Sequence, residues 1–173
     1  NCHNAAAAKR SGLTQALGRT DNFMQTFIPW LPVQHVPEFL AGVFVLQHSA
    51  GAMTIVCDGE FADGSLLVLR FENFEAVTTH KEFSHQWPGE SDPTALPKSP
   101  GGYWTFPFLQ VQDSAWAATS MQANTFGHVP SHYCILSASD IVDVLALEPP
   151  RIDWTTAAET DRIMDAASKL GTA

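Results

Sequence analysis

With 173 residues, 45% of them hydrophobic and 16% charged, the chain fits one folded domain and is too apolar to be wholly disordered. Its formal net charge of −9 repels phosphate backbones and anionic lipid surfaces, which argues against nonspecific nucleic-acid or membrane binding and favours a basic protein partner. No stretch approaches the roughly 18 apolar residues of a membrane helix. Cys2, Cys57 and Cys134 form an odd set without framework spacing, so a reducing, cytoplasmic setting is expected rather than a disulfide scaffold.

The first twelve residues, Asn1 to Gly12, are small and polar and read as a frayed end of a single domain covering residues 1–173. A short helix is expected between Leu13 and Met24. The following Ile28-Pro29-Trp30-Leu31-Pro32 is extended, because its prolines forbid both a helix and a central strand. Val43 to His48 and Ala52 to Asp58 are apolar runs separated by Ser49-Ala50-Gly51, the spacing of a hairpin. After the Asp58-Gly59 and Asp63-Gly64 turns, one long strand is expected from Ser65 to about Val77, with Leu67, Leu69 and Phe71 on one face.

Phe83 to Gly102 is rich in Pro and Gly and reads as a long connection. Strand character returns from Tyr103 to Val111, with Pro107 suggesting an edge or a bulge. Asp113-Ser114 can cap a helix over Ala115 to Ala123, followed by a loop from Asn124 to Ser131. His132 to Ser137 and Ile141 to Leu147 form a second hairpin across Ala138-Ser139-Asp140. The last element is a helix in which Thr156 and Glu159 have capping-box spacing, Ile163, Met164, Ala167 and Leu170 make one stripe, and Gly171 fits the C-terminal cap. The pattern predicts an α+β fold: mainly antiparallel β-sheet, sandwich-like or curved, with a C-terminal helix and one or two short helices.

Among residues that could carry chemistry, His80, His85, His128 and His132 are the strongest metal candidates, and zinc is the ion such a set would take. They could converge if the strand after Val77 lay beside the one beginning at His132. The His-Val-Pro-Ser-His stretch cannot place its histidines one helical turn apart, and no His-Glu-x-x-His signature is present. Ordinary hydrogen-bonded histidines, with no cofactor at all, are the simpler expectation. Asp58, Glu60 and Asp63 lack the ligand spacing of a calcium loop. Gly-x-Ser-x-Gly is absent, and Ser49 beside His48 is a turn residue, since a base must meet a hydroxyl through space. Cys57 and Cys134 sit in apolar flanks that do not activate a thiol. Gly101-Gly102 lacks the lysine and the helix of a phosphate loop.

Two stretches carry a resemblance. His132-Tyr133-Cys134-Ile135-Leu136 with Asp140-Ile141-Val142-Asp143-Val144-Leu145-Ala146, and the strand Leu66-Leu67-Val68-Leu69-Arg70-Phe71-Glu72-Asn73-Phe74, resemble elements of small bacterial β-rich domains, some of them grouped with toxin-immunity proteins. The resemblance spans Leu66 to Trp154 and implies a protein-binding domain rather than an enzyme. On that reading Glu72, Glu75, Asp140 and Asp143 form an acidic face with Trp87 as an aromatic anchor. A metal-dependent enzyme built on the four histidines and a sugar-binding β-domain with a row of exposed Trp are the rivals, and a homodimer is a further candidate assembly.

Overall fold

The computed structural model describes residues 25–48, 51–61, 64–81 and 96–162. Outside them fall the start expected to be frayed, the helix expected at Leu13 to Met24, Cys2, Ser49, Asp63, His85, Trp87 and the stripe expected from Ile163 to Gly171.

Two antiparallel sheets enclose the core. The strands in chain order are β1 (Thr26–Pro29), β2 (Leu40–Gln47), β3 (Met53–Gly59), β4 (Leu66–Phe71), β5 (Phe74–Lys81), β6 (Phe108–Gln112), β7 (Ser131–Leu136), β8 (Asp140–Ala146) and β9 (Arg151–Thr155). One sheet has five strands in the order β1-β6-β7-β8-β5, and the other has four in the order β2-β3-β4-β9. Alternation dictates which side chains meet between them. Met53, Ile55 and Cys57 of β3 and Leu67, Leu69 and Phe71 of β4 face Phe108, Tyr133, Ile135, Val142 and Val144 of the larger sheet in one buried cluster. A ring contact binds the layers, with Phe71 and Tyr133 centroids at 5.7 Å, and within the larger sheet Trp30, just after β1, lies edge-on to Phe108 of β6 at 6.0 Å. Each such side chain contributes about 1.5–3 kcal/mol by leaving water. The far side of the smaller sheet buries a second, smaller apolar set, Val56, Leu66 and Val68.

Both expected hairpins form, β2 with β3 and β7 with β8. Gly51, at φ 80°, supplies the left-handed residue that the first turn requires. The strand expected from Ser65 to Val77 is instead two strands, β4 and β5, which lie in different sheets. Glu72 and Asn73 are exposed at the crossing, and their polarity breaks an otherwise apolar run where the chain changes layers. Pro107 sits just before β6, so that strand runs unbroken between β1 and β7 as an internal strand rather than an edge. It is Pro29 that ends an edge strand, where a missing N–H leaves no ladder bond unmade.

The helix expected over Ala115 to Ala123 is two short helices, α1 (Ala115–Ala118) and α2 (Met121–Phe126). Each has its own serine cap: Ser114 Oγ accepts from Ala117 N, and Ser120 Oγ from Ala123 N. Gly127, at φ 71°, closes α2 in the left-handed region. A third helix, α3, begins at residue 157, where Thr156 Oγ1 accepts from Glu159 N at 3.3 Å as the capping-box spacing foretells. Strand β9, between the Pro149-Pro150 stop and that helix, was not expected from the sequence and completes the smaller sheet beside β4. Among the described residues no helix is long and apolar enough to cross a membrane.

Candidate functional site

The five-stranded sheet has two unlike faces. Cross-strand pairs place His132 and Cys134 of β7, Asp143 and Leu145 of β8, and Thr78 and His80 of β5 on the face turned away from the smaller sheet. On that face Asp143 lies directly opposite Cys134 and one step diagonal to His132. The His132 Nε2 is 3.0 Å from Asp143 Oδ1, and its Nδ1 is 2.8 Å from Ser114 Oγ at the start of α1. All three residues are only 6% exposed.

The chemistry of the partners sets the proton positions. A carboxylate only accepts, so Nε2 of the ring carries hydrogen and donates to Asp143. When the ring is neutral, Nδ1 is then an acceptor, and Ser114 donates its hydroxyl hydrogen to it. The same Ser114 oxygen accepts from Ala117 N at 3.1 Å. Cys134 adds a thiol hydrogen bond to Asp143, and burial together with that carboxylate pushes the Cys134 thiol well up. Burial likewise raises Cys57, so both described thiols are held protonated and neither is an activated nucleophile. The edge of Trp116, from α1, packs against the His132 ring at 5.2 Å.

Beside this relay lies a cleft of about 400 Å³. Ser114 and His132 line it, with Val111, Ala118, Val129 and Pro130 supplying apolar wall. Its geometry comes from a sharp strand-to-helix turn. Strand β6 ends at Gln112, Asp113 takes φ 52°, and Ser114 begins α1. Asp113 is the one non-glycine residue with positive φ among the described residues, and its short polar side chain makes that region less costly than it is for most residues.

The residues singled out in the sequence fall in different places. His80 is half-buried and bonded to Thr78 Oγ1 at 2.7 Å. It shares a face with His132, but β8 stands between their strands. His128 is exposed in the turn before β7, and His85 lies outside the described residues. Among the described residues no group of three or more His, Cys, Asp or Glu is placed to hold a metal.

The four acidic residues do not make one face. Asp143 is turned inward into the relay. Glu75 Oε1 accepts from Gln122 N at 3.1 Å and holds the start of α2 on β5. Asp140 pairs with Lys81 at 2.6 Å. The pairs Phe74–Ala146 and Lys81–Asp140 mark opposite ends of the β5–β8 ladder, so Asp140 sits roughly 20 Å along the strands from Glu72. The described tryptophans are likewise dispersed. Trp30 packs on Tyr133, Trp104 on Phe39, Trp116 on His132 and Trp154 on Phe61.

No sequence motif pointed to Ser114. The sequence offered the β7–β8 hairpin, and its observed Leu136–Ile141 register is what places Asp143 within reach of His132. Comparison with known proteins places the chain beside none of them: no family model matches it, and neither a curated protein nor a solved structure is significantly similar to it.

Proposed function

We propose that the protein is a protein-binding domain whose docking surface is the end of the five-stranded sheet beside the cleft. The observation that carries this reading is a group of exposed apolar side chains there. Met121 and Phe126 of α2 and Val129 before β7 are each 60% exposed or more, and Leu147 after β8 is 44% exposed. The contact of Gln122 with Glu75, the pairing of Ser131 with Ala146 and the bond from Leu147 N to Asn73 O bring these segments to the same end of the sheet. Large apolar groups gathered on a surface are what a partner buries, whereas scattered ones need no explanation. Glu72 and Glu148, both exposed, flank the group. Together with the net charge of −9 they favour a basic partner that contributes apolar side chains. The resemblance to immunity proteins adds a toxin as the class of partner, and the two cysteines among the described residues, both buried and free, support a reducing compartment.

The test is capture of a partner from the source cell by the full chain and by a Met121→Glu/Phe126→Glu variant, each at low and high salt. The wild type should capture a basic protein in a salt-sensitive manner, and the variant should lose it while keeping its melting temperature. Equal capture by both proteins would sink the assignment of this surface. Self-association that the variant abolishes would replace the foreign partner with a second copy of the chain.

A further inference from the structure

We propose that Ser114 is a nucleophile, with His132 as its general base and Asp143 as the group that orients the base, acting on esters of small apolar carboxylic acids in the adjoining cleft. Capping a four-residue helix requires only an oxygen, and Ser120 caps α2 by its hydroxyl. Ser114 has more behind it: a buried imidazole at 2.8 Å and, beyond that, a buried carboxylate at 3.0 Å. Burying those two polar groups is unfavourable unless their geometry is satisfied, and the cap itself requires neither of them. The arrangement matches what general-base activation of a hydroxyl requires: a hydroxyl donating to the free nitrogen of a ring whose other nitrogen is held by a carboxylate. The ring is used with Nδ1 toward the serine, which the hydrogen-bond logic permits equally well.

Two further observations bear on the same residue. Ser114 and His132 both border the cleft, so a ligand there lies against the hydroxyl and its base. Asp113, immediately before it, holds a left-handed backbone that turns the chain sharply from strand to helix, and such backbone outliers gather at functional positions. The wall of Val111, Ala118, Val129 and Pro130 suits an apolar acyl chain.

In the first step Ser114 Oγ attacks the ester carbonyl carbon, and its proton passes to His132 Nδ1. The bond from the carbonyl carbon to the alkoxy oxygen breaks, and the departing alcohol takes that proton. Water, giving its proton to the same nitrogen, then attacks the acyl-serine. It releases the carboxylic acid and restores the Ser114 hydroxyl. Nothing is oxidised or reduced, and water is the only co-reactant.

This inference stands apart from the docking surface, because its probe needs no partner. The full chain is treated with a fluorophosphonate, the modified residue is located by peptide mass spectrometry, and hydrolysis of p-nitrophenyl butyrate is followed in parallel. Labelling should fall on Ser114, and Ser114→Ala should hydrolyse the ester about 100-fold more slowly or worse. Asp143→Asn, which lets the ring adopt the wrong tautomer, should slow labelling by a comparable factor. Folded wild-type protein that leaves Ser114 unmodified would overturn the proposal. So would a Ser114→Ala protein that hydrolyses the ester at the wild-type rate.

Discussion

The two faces of the five-stranded sheet use the same strands for opposite purposes. Toward the smaller sheet, β6, β7 and β8 present Phe108, Tyr133, Ile135, Val142 and Val144, a surface that is stable because it is dry. One residue along each strand the direction reverses, and the other face carries His132 and Asp143 among Leu109, Cys134 and Leu145. The first face tolerates any packing that fills its volume, since dispersion and burial are not directional. The second tolerates little, because each buried polar atom needs its own partner at the right angle. Stability and chemistry are thus separated by a single pleat, and a one-residue slip of β7 would exchange them.

The largest expected effect tests the dry face. Phe108 is fully buried and touches Trp30, so Phe108→Ala should lower unfolding free energy by about 3–5 kcal/mol, read from the denaturation midpoint at unchanged m-value. Asp143→Ala tests the other face. It removes few carbon contacts but strands His132 Nε2 and the Cys134 thiol without an acceptor. A loss of about 2–3 kcal/mol is expected. If Asp143→Ala proved neutral while Phe108→Ala did not, the relay would contribute nothing to holding α1 on the sheet, and the contrast between the faces would reduce to packing alone.

The dry face was readable from the chain because its signal is local. Leu67, Leu69 and Phe71 alternate in sequence, and they alternate into the core. Both tight hairpins were readable for the same reason, each needing only a turn between two apolar runs. The split of β4 from β5 was not, since Phe71 and Phe74 look continuous and only the exposed Glu72-Asn73 pair marks the change of sheet. For the site, the β7–β8 hairpin was readable but its register was not: strands ending at Ser137 and starting at Ile141 would set Cys134 against Val144, whereas the observed Leu136–Ile141 pair sets Asp143 opposite Cys134 and near His132. Ser114 was beyond reach. Its approach depends on β6 pairing with β7 across an intervening pair of helices, a nonlocal contact with no periodic trace. Charge alone assigns Asp143 to the surface; the pleat sends it inward.

The smallest expected effect sharpens that last point, for β8 carries a second aspartate three residues before the first. Asp140 lies at the hairpin turn, bonded to Lys81 at 2.6 Å and to Ser139 Oγ at 2.7 Å. The Lys81 ammonium beside it, with the Ser139 hydroxyl, holds its carboxyl below the usual 3.8. A carboxylate whose folded value is depressed stabilises the fold above the unfolded value, and that contribution fades as pH falls through the lowered folded value. Water and salt screen the pair, since Lys81 is largely exposed, so Asp140→Asn should cost no more than about 0.5 kcal/mol at neutral pH. That difference between the variant and the wild type should vanish in acid below that range and shrink at high salt. A loss as large as that of Asp143→Ala, or one indifferent to salt, would mean that the turn aspartate is held as tightly as the buried one, and the start and the middle of β8 would no longer differ in kind.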